Sequence, residues 1–197
     1  MSIAAVGISK SFGDLTVFKD FSMTLDTGSI TCLMGQSGSG KSTLLHMLLG
    51  LIMPDAGSIM GLDSVPVAAV FQEDRLCERL CALANILLVC ERNTPAQEAA
   101  ELLAQFSVSE EHHRKPVFEL SGGMRRRVAL ARALLANSEV LMMDEPFKGL
   151  DVETKHIVIG ELLSRIEGKT VLLVTHDPED AQLLGASIVN LNSEVSS

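Results

Sequence analysis

Short apolar runs, then stretches with apolar residues at helical spacing, divide this chain into alternating elements. Ile3, Val6 and Ile8, followed by Val17, Phe18, Phe21, Met23 and Leu25, predict strands over 3–9 and about 17–25, with Gly13-Asp14 turning between them. Asp26-Thr27-Gly28 then leads into Ile30-Thr31-Cys32-Leu33-Met34, a buried strand. Leu44, Leu45, Leu48 and Leu49 mark one face of a helix over about 41–51. A turn at Pro54-Asp55-Ala56-Gly57 precedes a strand from Val65 to Phe71. From Leu76 the period becomes helical: Leu80, Leu83, Ile86 and Leu87 form one stripe, and Ala99, Leu102, Leu103 and Phe106 form another after Pro95. A polar stretch, Ser107 to Glu119, leads to a helix carrying Val128, Ala131 and Leu135. Strands return at Val140–Met143 and Val171–Val174 around a helix over about 153–166, and Ser187 to Leu191 predicts an edge strand.

Strands alternating with helices indicate an α/β fold with a mainly parallel sheet and right-handed crossovers. The region from about 76 to 136 shows no strand pattern and reads as an α-helical subdomain inserted into that core. With 197 residues, the expectation is a single domain over 1–197.

The chemistry centres on Gly35-Gln36-Ser37-Gly38-Ser39-Gly40-Lys41-Ser42-Thr43, which fits G-x-x-x-x-G-K-[ST] between a strand and a helix. The glycines let successive N–H groups curl into a nest for phosphates, and the helix N-terminus adds partial positive charge. Lys41 is placed to reach the terminal phosphates and the Ser42 hydroxyl to ligate Mg²⁺. The alternative, a Gly/Ser-rich turn that happens to precede a helix, does not account for the Lys-Ser pair at this spacing. The loop predicts a nucleoside triphosphate site.

Two carboxylates, Asp144 and Glu145, follow the Val140–Met143 strand. In a parallel sheet ligands sit at the carboxyl ends of strands, so Asp144 is placed to hold Mg²⁺ and Glu145 to face the attacking water. His176 ends the Val171–Val174 strand with Thr175, within reach of a γ-phosphate or, alternatively, as a surface cap on the helix begun by Asp177-Pro178. Ser121-Gly122-Gly123 opens a helix with bare amides, a second anion site for which one molecule has no use. It predicts a second copy facing the first.

A formal net charge of −9 and the lack of Trp and Tyr argue against nucleic acid as a partner. The Arg125-Arg126-Arg127 run reads as a solvated helix face. No apolar run approaches the roughly 18 residues of a membrane span, and no signal peptide pattern opens the chain. Cys32, Cys77, Cys81 and Cys90 show no metal-ligand spacing and read as reduced thiols of a cytoplasmic protein.

Together these motifs resemble the nucleotide-binding subunits of ATP-binding-cassette (ABC) transporters. The family order is Walker A at 35–43, Q-loop Gln72, signature Leu120 to Met124, Walker B at 140–144, Glu145, D-loop Gly149-Leu150-Asp151 and switch His176. Asp144-Glu145-Pro146-Phe147 is similar to importers of the nitrate, sulfonate and taurine type. The resemblance implies a P-loop NTPase core, a small N-terminal antiparallel β subdomain and the inserted helices. It implies ATP and Mg²⁺ as cofactors, with Ser42, Gln72 and Asp144 toward the metal and Phe12 stacking on adenine. Catalysis falls to Glu145, His176 and Lys41.

It further implies a head-to-tail dimer in which ATP bound at Lys41 meets Ser121-Gly122-Gly123 of the second copy, with Asp151 at the junction. Integral membrane subunits would dock beyond Gln72, holding the chain on the inner face of the membrane. Met124 stands where the family usually has Gln, and Phe147-Lys148-Gly149 varies the D-loop lead-in. A non-transport ABC-type ATPase and a nucleotide-sensing module are the competing readings. The first lacks the tandem motifs or coiled coils it would need, and the retained Glu145 and His176 weigh against the second.

Overall fold

The structure, a computed structural model, describes residues 2–191. Its centre is a five-stranded parallel sheet in the order β5-β6-β7-β3-β8, formed by β3 (Ile30–Met34), β5 (Val67–Val70), β6 (Val140–Asp144), β7 (Thr170–Val174) and β8 (Ser187–Asn190). β6 and β7 are buried at every position, which is why each reads as a continuous apolar run instead of an alternation. Their side chains nevertheless divide by the two-residue period of a strand. Val140, Met142, Leu172 and Val174 enter one core, whereas Leu141, Met143, Val171 and Leu173 enter the other. Each such side chain contributes about 1.5–3 kcal/mol through burial, so both faces of the sheet must stay covered.

One face is covered by α1 (Lys41–Leu48) and a three-stranded antiparallel sheet, β2-β1-β4. β1 (Ile3–Phe12) and β2 (Leu15–Leu25) run longer than the pattern predicts and turn at Gly13-Asp14. β4 (Ala56–Met60) is absent from the sequence reading, because its residues are mostly exposed and two of the first three are glycine and serine. It is held by its backbone pairing with β1, a contact that local hydrophobicity does not report.

The other face carries α5 (Gly122–Leu135) and α6 (Val152–Arg165). Between the neighbouring strands β5 and β6 the chain also forms α2 (Ala82–Leu87), α3 (Ala96–Gln105) and α4 (Glu110–His113), so this helical region elaborates a crossover between adjacent parallel strands. Phe106, Leu102, Leu103 and Ile86 are fully buried and share the core of that face with Val128 and Leu130 of α5. α6 is the crossover from β6 to β7, and α7 (Pro178–Leu183) follows β7. No helix among the described residues is long and apolar enough to cross a membrane.

The arginine run is not a solvated face. Arg126 is buried, its guanidinium donates to the Phe71 carbonyl at 2.7 Å and to the Gln72 carbonyl, and its Nε lies 3.2 Å from Asp74. Arg127 donates to the carbonyls of Phe106 and Ser107 at 2.9 and 2.7 Å. These bonds fasten α5 to the segment after β5 and to the end of α3. The helical period places the side chains, but it does not say which backbone carbonyls meet them.

Candidate active site

The loop after β3 builds one wall of a cavity of about 550 Å³ at the carboxyl ends of the parallel strands. Gly40, the N-cap of α1, has φ 92°, a left-handed conformation suited to glycine. A Cβ there would lie 2.6 Å from Val17 Cγ1 and 2.9 Å from Phe18 Cζ, so β2 packs directly against the loop. No side chain caps α1, which leaves its first amides available to an anion. Lys41 is buried, and its ammonium donates to the carbonyls of Gly35 and Gln36 at 2.8 and 2.7 Å. Those two bonds fold the side chain back across the loop.

Gly35, Gln36, Ser37, Gly38, Gly40, Lys41, Ser42 and Thr43 all line the cavity. Gln72 enters from the end of β5, Asp144 and Glu145 from the end of β6, and His176 from the end of β7. Phe12, at the end of β1 and 48% exposed, closes the rim. Ser39 lies inside the loop, buried, with its Oγ unpartnered among the described residues.

Asp144 is 2% exposed, and its Oδ1 has no hydrogen-bond partner among the described residues. Burial pushes its carboxyl above the ordinary value, opposed by a hydrogen bond from the Ser42 side chain. Glu145 raises it further, while His46 and Lys41 draw it back. A buried carboxylate with an orphan oxygen beside a serine hydroxyl is the oxygen-rich donor set that suits a hard divalent cation. Next to it, Glu145 has φ 49°, unusual for a residue other than glycine, with its amide bonded to the Val174 carbonyl at 2.8 Å. Its carboxylate meets His176, whose Nδ1 lies 2.7 Å from Glu145 Oε1.

Ser121, Gly122, Gly123 and Asp151 lie outside this cavity. Ser121 N-caps α5, its Oγ accepting from the Met124 amide at 3.2 Å, and Asp151 N-caps α6 through the Thr154 amide at 2.9 Å. The two turns are neighbours, since a Cβ on Gly123 would lie 3.6 Å from Leu150 Cδ2.

Three cavity residues escape the sequence reading: Leu15, Val17 and Lys148. Leu15 and Val17 are two apart on one strand, and that spacing is their only signal. Lys148 shows only as a departure in the D-loop lead-in.

The fold and this cavity define a P-loop ATPase cassette. The family model described as "ABC transporter" matches residues 18–148. The chain is 39% identical over 199 residues to the aliphatic sulfonates import ATP-binding protein SsuB 1 of Nocardia farcinica, covering 98% of this chain and 78% of that protein. It is 40% identical to the taurine import ATP-binding protein TauB of Pseudomonas fluorescens, covering 89% and 71%. It is also 38% identical to the Nod factor export ATP-binding protein I of Bradyrhizobium diazoefficiens, covering 93% and 65%. Among solved structures, the dimeric ABC transporter cassette MJ0796 superposes with a TM-score of 0.84 at 27% identity, covering 96% of this chain and 94% of that one. A post-hydrolysis dimer of the same cassette bound to ADP and Pi matches equally well, with a TM-score of 0.84. The chain belongs to the ABC transporter family and is one of its ATP-binding, ATP-hydrolysing subunits.

Proposed function

We propose that the chain hydrolyses Mg-ATP between two copies of itself to drive solute import through separate membrane subunits. The observation that carries this reading is the convergence of Lys41, Ser42, Gln72, Asp144, Glu145 and His176 on one cavity. The importer direction draws on the sulfonate and taurine relatives, and the small sulfonates they carry are the first substrates to assay.

In this mechanism the Gly35–Thr43 amides and Lys41 hold the triphosphate, and Phe12 stacks on the adenine. Ser42, Asp144 and Gln72 would hold Mg²⁺, which neutralises charge on the β- and γ-phosphates when bound. Glu145 orients the attacking water and accepts its proton, while His176 fixes the Glu145 carboxylate and faces the γ-phosphate. The opposing Ser121-Gly122-Gly123 amides and Asp151 complete the site across the dimer. Closure then assembles the charge-stabilising groups and hydrolysis separates them. The region of about 76–136 acts as a helical subdomain of a single domain over 1–197, and the membrane subunits hold the chain on the inner face of the membrane.

The test is transport in vesicles that hold the chain with its membrane subunits. ATP-dependent uptake of a small sulfonate supports the reading. ATP-dependent expulsion overturns the direction, and an absence of ATP turnover overturns the mechanism.

A further inference from the structure

Outside the cavity, a dense cluster of ionisable groups is centred on Lys155 of α6. Lys155 is 7% exposed, and its ammonium meets three carboxylates: Asp177 at 2.8 Å, Glu179 at 2.7 Å and Asp180 at 3.1 Å. All three acids lie just beyond His176, at the start of α7. Asp180 is itself buried, and its second oxygen accepts from the Thr175 hydroxyl at 2.8 Å. That same hydroxyl oxygen accepts from the Asp177 amide at 3.1 Å, and Asp177 caps α7 through the Glu179 amide at 3.0 Å. His176 therefore has a clamped residue on each side while its own side chain is 67% exposed. Among the described residues, its imidazole is bonded to Glu145. Thr175, Asp177 and Asp180 hold the backbone on either side of His176, and Lys155 in turn holds the two acids.

Asp151 caps the start of α6, one turn ahead of Lys155. A single buried ammonium thus links the D-loop end of α6 to the segment that carries His176. We propose that Lys155 is a positioning residue for the hydrolytic reaction, holding His176 in register with Glu145 and transmitting movement of the D-loop to it. The inference rests on the role assigned above to His176. A buried amine satisfied by three acceptors is costly to disturb, and a displacement of about 1 Å at a reacting group is enough to lower a rate up to about a hundredfold.

The experiment measures steady-state Mg-ATP turnover and thermal stability of Lys155→Ala, Lys155→Arg, His176→Ala and the double variant Lys155→Ala/His176→Ala. The expected result for Lys155→Ala is a kcat about tenfold or more lower with KM for ATP unchanged, and partial recovery in Lys155→Arg, which keeps the charge. In the His176→Ala background, Lys155→Ala causes no further loss, because the group it positions is gone. Losses that multiply in the double variant, or a Lys155→Ala effect confined to KM, overturn the proposal. Full activity of His176→Ala overturns the reading of His176 instead, so the two failures are told apart. Should Lys155→Ala not fold, Lys155→Met keeps the buried stem and Glu179→Gln removes one exposed partner, and both are read by the same non-additivity with His176→Ala.

Discussion

Glu145 Oε1 and His176 Nδ1 lie 2.7 Å apart, joining the ends of two neighbouring strands that are 31 positions apart in the chain. Glu145 makes this contact from a left-handed backbone, with φ 49°. Strain of this kind persists only where surrounding structure enforces it, and here the Glu145 amide is held by the Val174 carbonyl.

Replacing Glu145 by Gln keeps the side-chain shape and removes the proton acceptor. Turnover of Mg-ATP falls on the order of 10²–10⁴-fold, the range for loss of a general base, while ATP affinity changes little. Size-exclusion chromatography of this variant with Mg-ATP yields a dimer. A variant that keeps wild-type turnover refutes the role given to Glu145.

Asp144→Asn separates metal binding from folding. Burial raises the Asp144 carboxyl above its unfolded value, so without ligands the native state binds the proton more readily than the unfolded chain. Its contribution to stability is present at low pH and declines as pH rises from the ordinary carboxylate range through the raised folded value. At neutral pH the chain free of nucleotide and metal gains about 1 kcal/mol from Asp144→Asn, because a buried charge with one unpartnered oxygen is removed. Urea titrations at pH 5 and 8 check this, with a smaller difference expected at the lower pH. The same variant loses Mg²⁺-dependent turnover, as does the wild type after EDTA treatment.

Gly122 tests whether another molecule approaches the signature turn. A Cβ at this position meets nothing within 4 Å, so Gly122→Ala fits its own fold and gains about 0.5–1 kcal/mol of helix propensity. ATP turnover nevertheless falls at least about tenfold if a triphosphate on a second copy comes to rest against these amides, since the added methyl group holds the phosphate off them and loss of one oxyanion-type contact costs more than that. A stabilised variant with undiminished turnover argues against the head-to-tail arrangement.

Acid weakens the Asp177 link between α7 and α6. The hydrogen bond from Lys155, the largest cause, holds the Asp177 carboxyl below its usual value of 3.8, and the Glu179 amide lowers it further. A depressed folded value contributes stability above 3.8 that is lost as pH falls through the folded value. Protection of the α7 amides, the slowing of exchange relative to the intrinsic rate at the same pH, therefore falls on acidification in the wild type. In Asp177→Asn protection is already lower at pH 7 and responds less to acid.

Much of the site was legible because its parts are local. The Gly35–Thr43 loop, the Ser121 cap and the Asp144-Glu145 pair are each contiguous, and the apolar runs on either side place them at the ends of strands or the start of helices. β4 has no local signal because backbone pairing and a single packed side chain, Ile59, hold it, and the setting of Arg126 has none because its acceptors are carbonyls more than fifty positions away.

Residue type and short-range period were sufficient for the α/β alternation, the Gly35–Thr43 loop and the choice of Lys41, Ser42, Asp144, Glu145 and His176 as candidate site residues, since each depends on a few adjacent peptide units. Packing alone set the φ of Glu145, its contact with His176, and the junction of Lys155 with three acids on another helix. Those arrangements join residues tens of positions apart, and no local pattern encodes a distance that exists only after both faces of the sheet have closed.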